Sequence, residues 1–432
     1  MFDTVITNGS VWLRGRWEYK TLCVKNGVVD DITDACPAAK ETFDARGRHI
    51  LPGLIDSHVH LRPTGAINIS CDDFHSGSVA AIRGGVTTVI DFTGEASGPD
   101  EVDAFFDRRL NDAKNSLVDF GFHSSYAKPE NVPEMAKRSL AHGMPTVKMY
   151  TTYSFSSDDR QLLEMLKRSA DRDIMLNCHA ENDYLVDPEL NDIELFSARR
   201  PELCELSEVA KLAEMTAYTG GLFYLVHVSC GDTVAMLEKR FSDLLGFSFI
   251  LESCPHYFTF NDSVYRSPDA RLFTMTPPLR SAVQRETLIK NFDSVSTLST
   301  DHCPFHRAQK NGAPDELPTG IGGLGYAFAQ MYRLFGDSVI DRFTVNQAKV
   351  HGIQSKGEIA PGLDADIAVF EKTPPAPVTD LRGACDYSVY SGCEETVRFT
   401  HVMRRGEWMM RDGIINESAG NGRYLYRSLA NS

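Results

Sequence analysis

The chain has 432 residues, 42% of them hydrophobic and 24% charged, with Lys+Arg 44 against Asp+Glu 59 and a formal net charge of −15. That sign argues against nucleic acid and anionic membrane as partners, because both demand a basic surface. No run approaches the ~20 apolar residues of a membrane span, and MFDTVITNGSVW lacks the basic-then-apolar order of a secretion signal. A cytoplasmic protein is therefore expected, with its ten cysteines, scattered and without framework spacing, held as reduced thiols.

The first fifty residues have an all-β texture. Short alternating runs are separated by Asn8-Gly9, Arg14-Gly15 and Asn26-Gly27, each a hairpin signal. The same texture returns in EIAPGLDADIAVFE and TVRFTHVMRRGEWMMRDGIIN, with turns at PG, RG and DG. The two ends are expected to pair into one small β-sandwich, with boundaries at 1–50 and 356–432.

Between them, residues 51–355 alternate strand and helix. Eight apolar runs stand in order: GLIDSHVHL, GVTTVIDF, DFGFHSSY, PTVKMY, IMLNCH, LFYLVHVS, FSFILES and SVSTLSTDH. Amphipathic segments follow most of them, with Ser157 or Asp158 and Asp232 as expected N-caps. Eight β/α alternations predict an α/β fold, a (β/α)8 TIM-type barrel. An open doubly wound sheet would want a Gly-rich phosphate turn after its first strand, and HVHLRPTGAIN is not one. Long connections at about 62–75 and after the seventh run are expected to form lids or binding loops.

The polar residues of these runs gather at strand C-termini, where barrel enzymes carry their chemistry. His58 and His60 end the first run with period-two spacing, which puts both on one side of the strand. Lys148 ends the fourth, His179 the fifth, His227 the sixth and Asp301 the eighth. As a set they predict a metal site; nitrogen and oxygen ligands suit zinc, with iron, manganese or nickel as substitutes. Lys148 is anomalous in a strand that reads as buried, because an ammonium is costly to bury without a partner. Either it reaches solvent at the strand end or it is chemically something other than an ammonium. Among the other histidines, His123, His142 and His351 are read as structural or surface, His49 and His401 as part of the β-sandwich, and His302 and His306 as supports beside Asp301.

The stretches LPGLIDSHVHLR, VKMYTTY, NCHAEN, LVHVSC, ESCPHYF, MTPPLR, STDHCPF and PGLDADIAVF together resemble the amidohydrolase superfamily, in its cyclic-amide branch of hydantoinases, dihydropyrimidinases, allantoinases and dihydroorotases. The resemblance spans essentially the whole chain. It implies two divalent metal ions, zinc foremost: His58, His60 and Asp301 on the more buried one, His179 and His227 on the other. Lys148 would bridge them as a carbamate made with carbon dioxide. Metals nearby would favour the neutral amine, the form that attacks carbon dioxide, and the resulting anion would offset their charge. The expected reaction is attack of a shared hydroxide on a ring amide or imide, with Asp301 moving the proton and Tyr153 stabilising the oxyanion.

The ring itself is less defined. KMYTTY and STDHCPF are similar to hydantoinases and dihydropyrimidinases, whereas Arg62 resembles allantoinases and dihydroorotases, the latter using that arginine to hold the substrate carboxylate, and CPHYF resembles allantoinases. Arg62 is read either as a substrate contact or as a loop salt bridge. The main chain of Thr276 and Thr319 is expected to hold the ring amide. Phe74, Tyr150, Phe155 and the aliphatics near 66–69 are expected to wall a pocket for an apolar or aromatic substituent. The resemblance also implies a homodimer or homotetramer. A metal-free scaffold would lack the ligand residues, and a mononuclear deaminase would lack the strand-four lysine.

Overall fold

The two chain ends meet in one sheet. In this computed structural model, which describes residues 1–63 and 70–429, five N-terminal strands run first: β1 (Phe2–Leu13), β2 (Arg16–Lys25), β3 (Val28–Thr33), β4 (Ala39–Asp44) and β5 (His49–Pro52). The aliphatic residues near 66–69 lie outside the described residues. Four strands from the other end, β14 (Ile367–Pro377), β15 (Glu394–Arg404), β16 (Glu407–Arg411) and β17 (Ile414–Ile415), complete a nine-stranded sheet in the order β17-β16-β15-β14-β5-β1-β2-β3, with β4 beside β1. Ile6, Val11, Leu22, Ile50, Ile367 and Val369 are among its buried apolar side chains.

Turn chemistry explains the hairpins. Arg14-Gly15, Asn26-Gly27, Arg405-Gly406 and Asp412-Gly413 all hold positive φ at both residues, as two-residue hairpins require. Asn8-Gly9 differs from its expected turn. β1 runs straight through it, and the register against β2 shifts between Ile6 and Gly9. A Cβ on Gly9 would stand 2.3 Å from Ile50 Cδ1, so the glycine serves a bulge and a close approach of β5.

The middle of the chain forms an eight-stranded parallel sheet in sequence order: β6 (Leu54–Asp56), β7 (Val86–Ala96), β8 (Asp119–Tyr126), β9 (Thr146–Tyr150), β10 (Met175–His179), β11 (Phe223–Leu225), β12 (Phe249–Ser253) and β13 (Thr297–Leu298). Seven of them lie within a run named from sequence, and β7 extends its run, GVTTVIDF, by four residues to Ala96. Beyond the strand ends, Val59 bridges in parallel to His302, which brings the first and last strands together as a barrel. Asp158 caps the helix Asp159–Ser169 by accepting from Gln161 N–H at 2.9 Å. Asp232 is not a cap. The helix Gly231–Arg240 starts after Cys230, and the N–H groups of Ser229 and Cys230 are taken by the Glu205 carboxylate instead. Among the described residues, no helix is long and apolar enough to cross a membrane.

A buried ion cluster joins barrel base to terminal sheet. Lys356 Nζ lies 2.9 Å from Asp119 at the start of β8, 3.1 Å from Asp364 and 2.7 Å from Asp366. Removing one partner of such a cluster strands buried like charges. Lys356→Met is therefore expected to cost about 3–5 kcal/mol of unfolding free energy, read by urea denaturation; a loss below about 1 kcal/mol would contradict it.

Candidate active site

Closure of the barrel builds the site. His60 N–H donates to His302 O at 2.8 Å, and His302 N–H to His58 O at 3.3 Å. This pairing lays Asp301 across both histidines, with its Oδ1 3.2 Å from His58 Nε2 and 3.1 Å from His60 Nε2. The ligand-capable atoms of the three side chains lie within 4.8 Å of one another. His227 follows β11 with its ring centroid 5.4 Å from that of His58, and His179, at the end of β10, stands 4.7 Å from His227. Asp301, His227 and Tyr153 hold φ of 49°, 42° and 78°. Each left-handed residue costs roughly 1–2 kcal/mol, and such strain concentrates at functional sites.

Lys148 is 1% exposed. It sits opposite Asn177 of β10 and Ser125 of β8. Its Nζ lies 5.2 Å from the ring centroids of both Phe92 and Tyr150. Among the described residues its side chain makes neither a hydrogen bond nor an ion pair. Burial lowers its pKa, opposed by the charges of Asp301 and Glu252. The snorkelling alternative is set aside: the amine is inside the barrel, facing the histidines.

Two carboxylates that drew no notice in the sequence orient the rings. Glu252, fully buried on β12, lies 2.7 Å from His58 Nδ1 and accepts from Tyr224 OH at 2.7 Å and His227 N–H at 3.1 Å. Glu181 lies 2.8 Å from His179 Nε2 and accepts from Arg200 at 3.0 Å. Burial would raise Glu181, but His179 and Arg200 bring it down to about 2. An ionised partner fixes the proton on the nitrogen it faces, which leaves His58 Nε2 and His179 Nδ1 as lone-pair donors. Among the described residues, His58 Nε2 and His227 Nδ1 are buried without a hydrogen-bond partner. Unpaired imidazole nitrogens, a carboxylate and an unpartnered lysine in one pocket fit a divalent cation. Asp301 suits it too: burial pushes its carboxyl up, but His58 and His60 hold it well below the ordinary range.

Tyr153 reaches the same mouth. Its ring centroid is 5.4 Å from that of His179 and 5.4 Å from that of Phe155. Asp183 holds its turn by accepting the Tyr153 N–H at 3.3 Å and the Thr152 hydroxyl. Burial pushes the phenol up, Arg200 and the neighbouring Thr276 side chain oppose this, and the group keeps its proton. Gly320 N–H donates to Thr274 O at 2.9 Å and so draws the Thr276 and Thr319 segments together.

Other expected residues fall elsewhere. Arg62 pairs with Asp73 at 3.3 Å, the cap of helix Phe74–Arg83, so the loop salt bridge is the reading the structure contains. Phe74 is buried against Phe120, Phe122 and the Arg109 guanidinium rather than walling a pocket. Tyr150 and Phe155 do pack together at the mouth, 5.1 Å apart. His302 supports the loop through Asp72 at 3.0 Å, while His306 pairs loosely with Asp386. His123 and His351 are buried in the barrel core.

The pattern of the amidohydrolase family matches residues 49–409. The chain belongs to the amidohydrolase family. D-phenylhydantoinase of Escherichia coli is 26% identical over 98% of both chains. Among solved structures, a D-hydantoinase superposes with a TM-score of 0.91 at 26% identity over 99% of each chain. The dihydropyrimidinase from Brevibacillus agri gives 0.91 at 25% identity over 99% of each. Family membership implies use of a divalent metal, which agrees with the His58, His60 and Asp301 group.

If Glu252 orients His58 for a metal in this amidohydrolase, Glu252→Gln should lower metal affinity about 10–100-fold with the fold intact. Metal titration monitored by competition with a chelator reads this directly; unchanged affinity would contradict the role.

Proposed function

We propose that this amidohydrolase is a two-metal hydrolase acting on a carbon–nitrogen bond of a cyclic amide or imide, of the hydantoinase and dihydropyrimidinase type. The observation that carries the proposal is the convergence of four histidines, Asp301, Tyr153 and an unpartnered, buried Lys148 on one barrel mouth. His58, His60 and Asp301 would hold one ion, and His179 and His227 the other, with zinc the first candidate. The neutral Lys148 amine would attack carbon dioxide, forming an N–C bond and releasing one proton, and the resulting carbamate would add one negative charge to help hold the ions. When bound, the ions supply an acidified water and polarise the scissile carbonyl.

The chain's own residues do the rest. Asp301 accepts the water's proton and returns it to the departing ring nitrogen. Tyr153, kept protonated by burial, donates to the oxygen that gains charge. The main chain of Thr276 and Thr319 holds the ring amide, and Tyr150 with Phe155 presents an aromatic wall to the exocyclic substituent. The Arg62–Asp73 pair favours hydantoin-like or dihydropyrimidine rings over carboxylate-bearing ones, because the arginine already has its counterion. The reading includes a cytoplasmic homodimer or homotetramer.

Ring opening of 5-substituted hydantoins, dihydrouracil, allantoin and dihydroorotate, assayed with metal and bicarbonate present, tests the proposal. Turnover of an aryl-substituted hydantoin or dihydrouracil above the other two is expected; no turnover of any would refute it. Tyr153→Phe should lower kcat about 10²–10³-fold while metal content stays at the wild-type level. A kcat within about threefold of wild type would remove Tyr153 from oxyanion stabilisation.

A further inference from the structure

Lys310, like Lys148, is a buried lysine without a carboxylate partner among the described residues, and it is 1% exposed. It closes the short turn Arg307–Lys310. Four oxygens lie within hydrogen-bond distance of its Nζ: Thr274 O at 2.9 Å, Thr274 Oγ1 at 2.9 Å, Pro318 O at 2.7 Å and Gly320 O at 2.8 Å. An ammonium has three N–H donors, so its whole capacity is spent on two chain segments that are distant in sequence. Burial draws the Lys310 pKa down to about 7; placing the amine among neutral carbonyls is costly, whereas an apolar side chain would fill the same space. The arrangement therefore needs a reason beyond packing.

The reason lies in what those carbonyls leave free. A trans peptide directs its N–H opposite to its C=O. Fixing Pro318 O on Lys310 turns the Thr319 N–H away from the lysine. Among the described residues neither Thr319, which is exposed, nor the half-buried Thr276 makes a main-chain hydrogen bond, so their main-chain groups stand open to a ligand. Gly320 seals the arrangement from the other side: a Cβ there would stand 2.5 Å from Cys303 O, two residues after Asp301. The two free segments are thus clamped to each other and to the strand-eight loop.

We propose that Lys310 is a positioning residue of the substrate cleft, a staple that presents the main-chain groups of Thr276 and Thr319 to the amide of the ring. This rests on the ring-amide reading given under the proposed function. Lys310 touches neither substrate nor metal; it acts through the two segments it ties.

Two readouts test it. In Lys310→Met, KM for whichever ring the wild type opens should rise about tenfold while kcat stays within about threefold and metal content is unchanged. Amide exchange, followed by mass spectrometry, should accelerate in peptides containing Thr274–Thr276 and Pro318–Gly320. In Lys310→Ala, added methylammonium should lower the raised KM, whereas tetramethylammonium, which has no N–H, should not. Unchanged KM overturns the proposal, as does loss of fold or metal in both variants, which would make Lys310 part of the framework only. If the wild type opens no cyclic amide, the functional reading fails, but the exchange measurement still decides whether Lys310 holds these segments; unchanged exchange removes the staple whatever the substrate.

Discussion

Everything at the mouth of this barrel depends on how the first strand meets the last. Val59 pairs with His302, and the two hydrogen bonds on either side, from His60 to His302 and from His302 to His58, fix the register to a single residue. A slip by one would turn His58 and His60 away from the interior and move Asp301 out of reach, because side chains alternate with a period of two. The left-handed backbone at Asp301 and His227 is the local cost of aiming both side chains inward. It is carried by a framework whose base is tied independently, through Lys356 and its three aspartates. The end that does chemistry is thereby separated from the end that holds the domains together.

Charge is distributed to match. Glu252 and Glu181 stand behind the histidines rather than among them, so each fixes the proton on the nitrogen it contacts and leaves the other nitrogen to donate its lone pair into the pocket. Phe92 stacks on His60 and lies beneath the Lys148 amine, which keeps water from that side. The result is a pocket in which the buried lysine has no counterion of its own among the described residues. A neutral amine tolerates that environment better than an ammonium does. The same desolvation acts at Lys310, whose pKa falls to about 7, and there four oxygens surround the amine.

Much of this was legible in the sequence. The eight strands were readable because a parallel barrel buries them on both faces, giving apolar runs of the right length. Lys148 was readable because a charge interrupts such a run. Glu252 interrupts FILES in the same manner and Glu181 follows His179 at period two, so both carried a signal that the histidines overshadowed. Other features depend on tertiary context. Asn8-Gly9 has the composition of a hairpin turn, but the close approach of Ile50 makes it a bulge. Asp232 has the composition of a cap, but the helix begins one residue before it, and Gln284 from a distant helix accepts its N–H. Phe74 stands next to the first loop in sequence, yet the helix it opens turns it into the core. Arg62 was undecidable because its partner, Asp73, lies across a loop whose path local sequence does not specify. Lys310 gives no signal at all without the carbonyls that meet it.

The central claim is that Lys148 is an anion joining two metals. A crystal structure of the protein loaded with zinc in the presence of bicarbonate tests it most directly. The account predicts density for three further atoms on Lys148 Nζ, with one ion on His58, His60 and Asp301, another on His179 and His227, and a carbamate oxygen on each. An unmodified Lys148 beside a single ion, or with none, would contradict it.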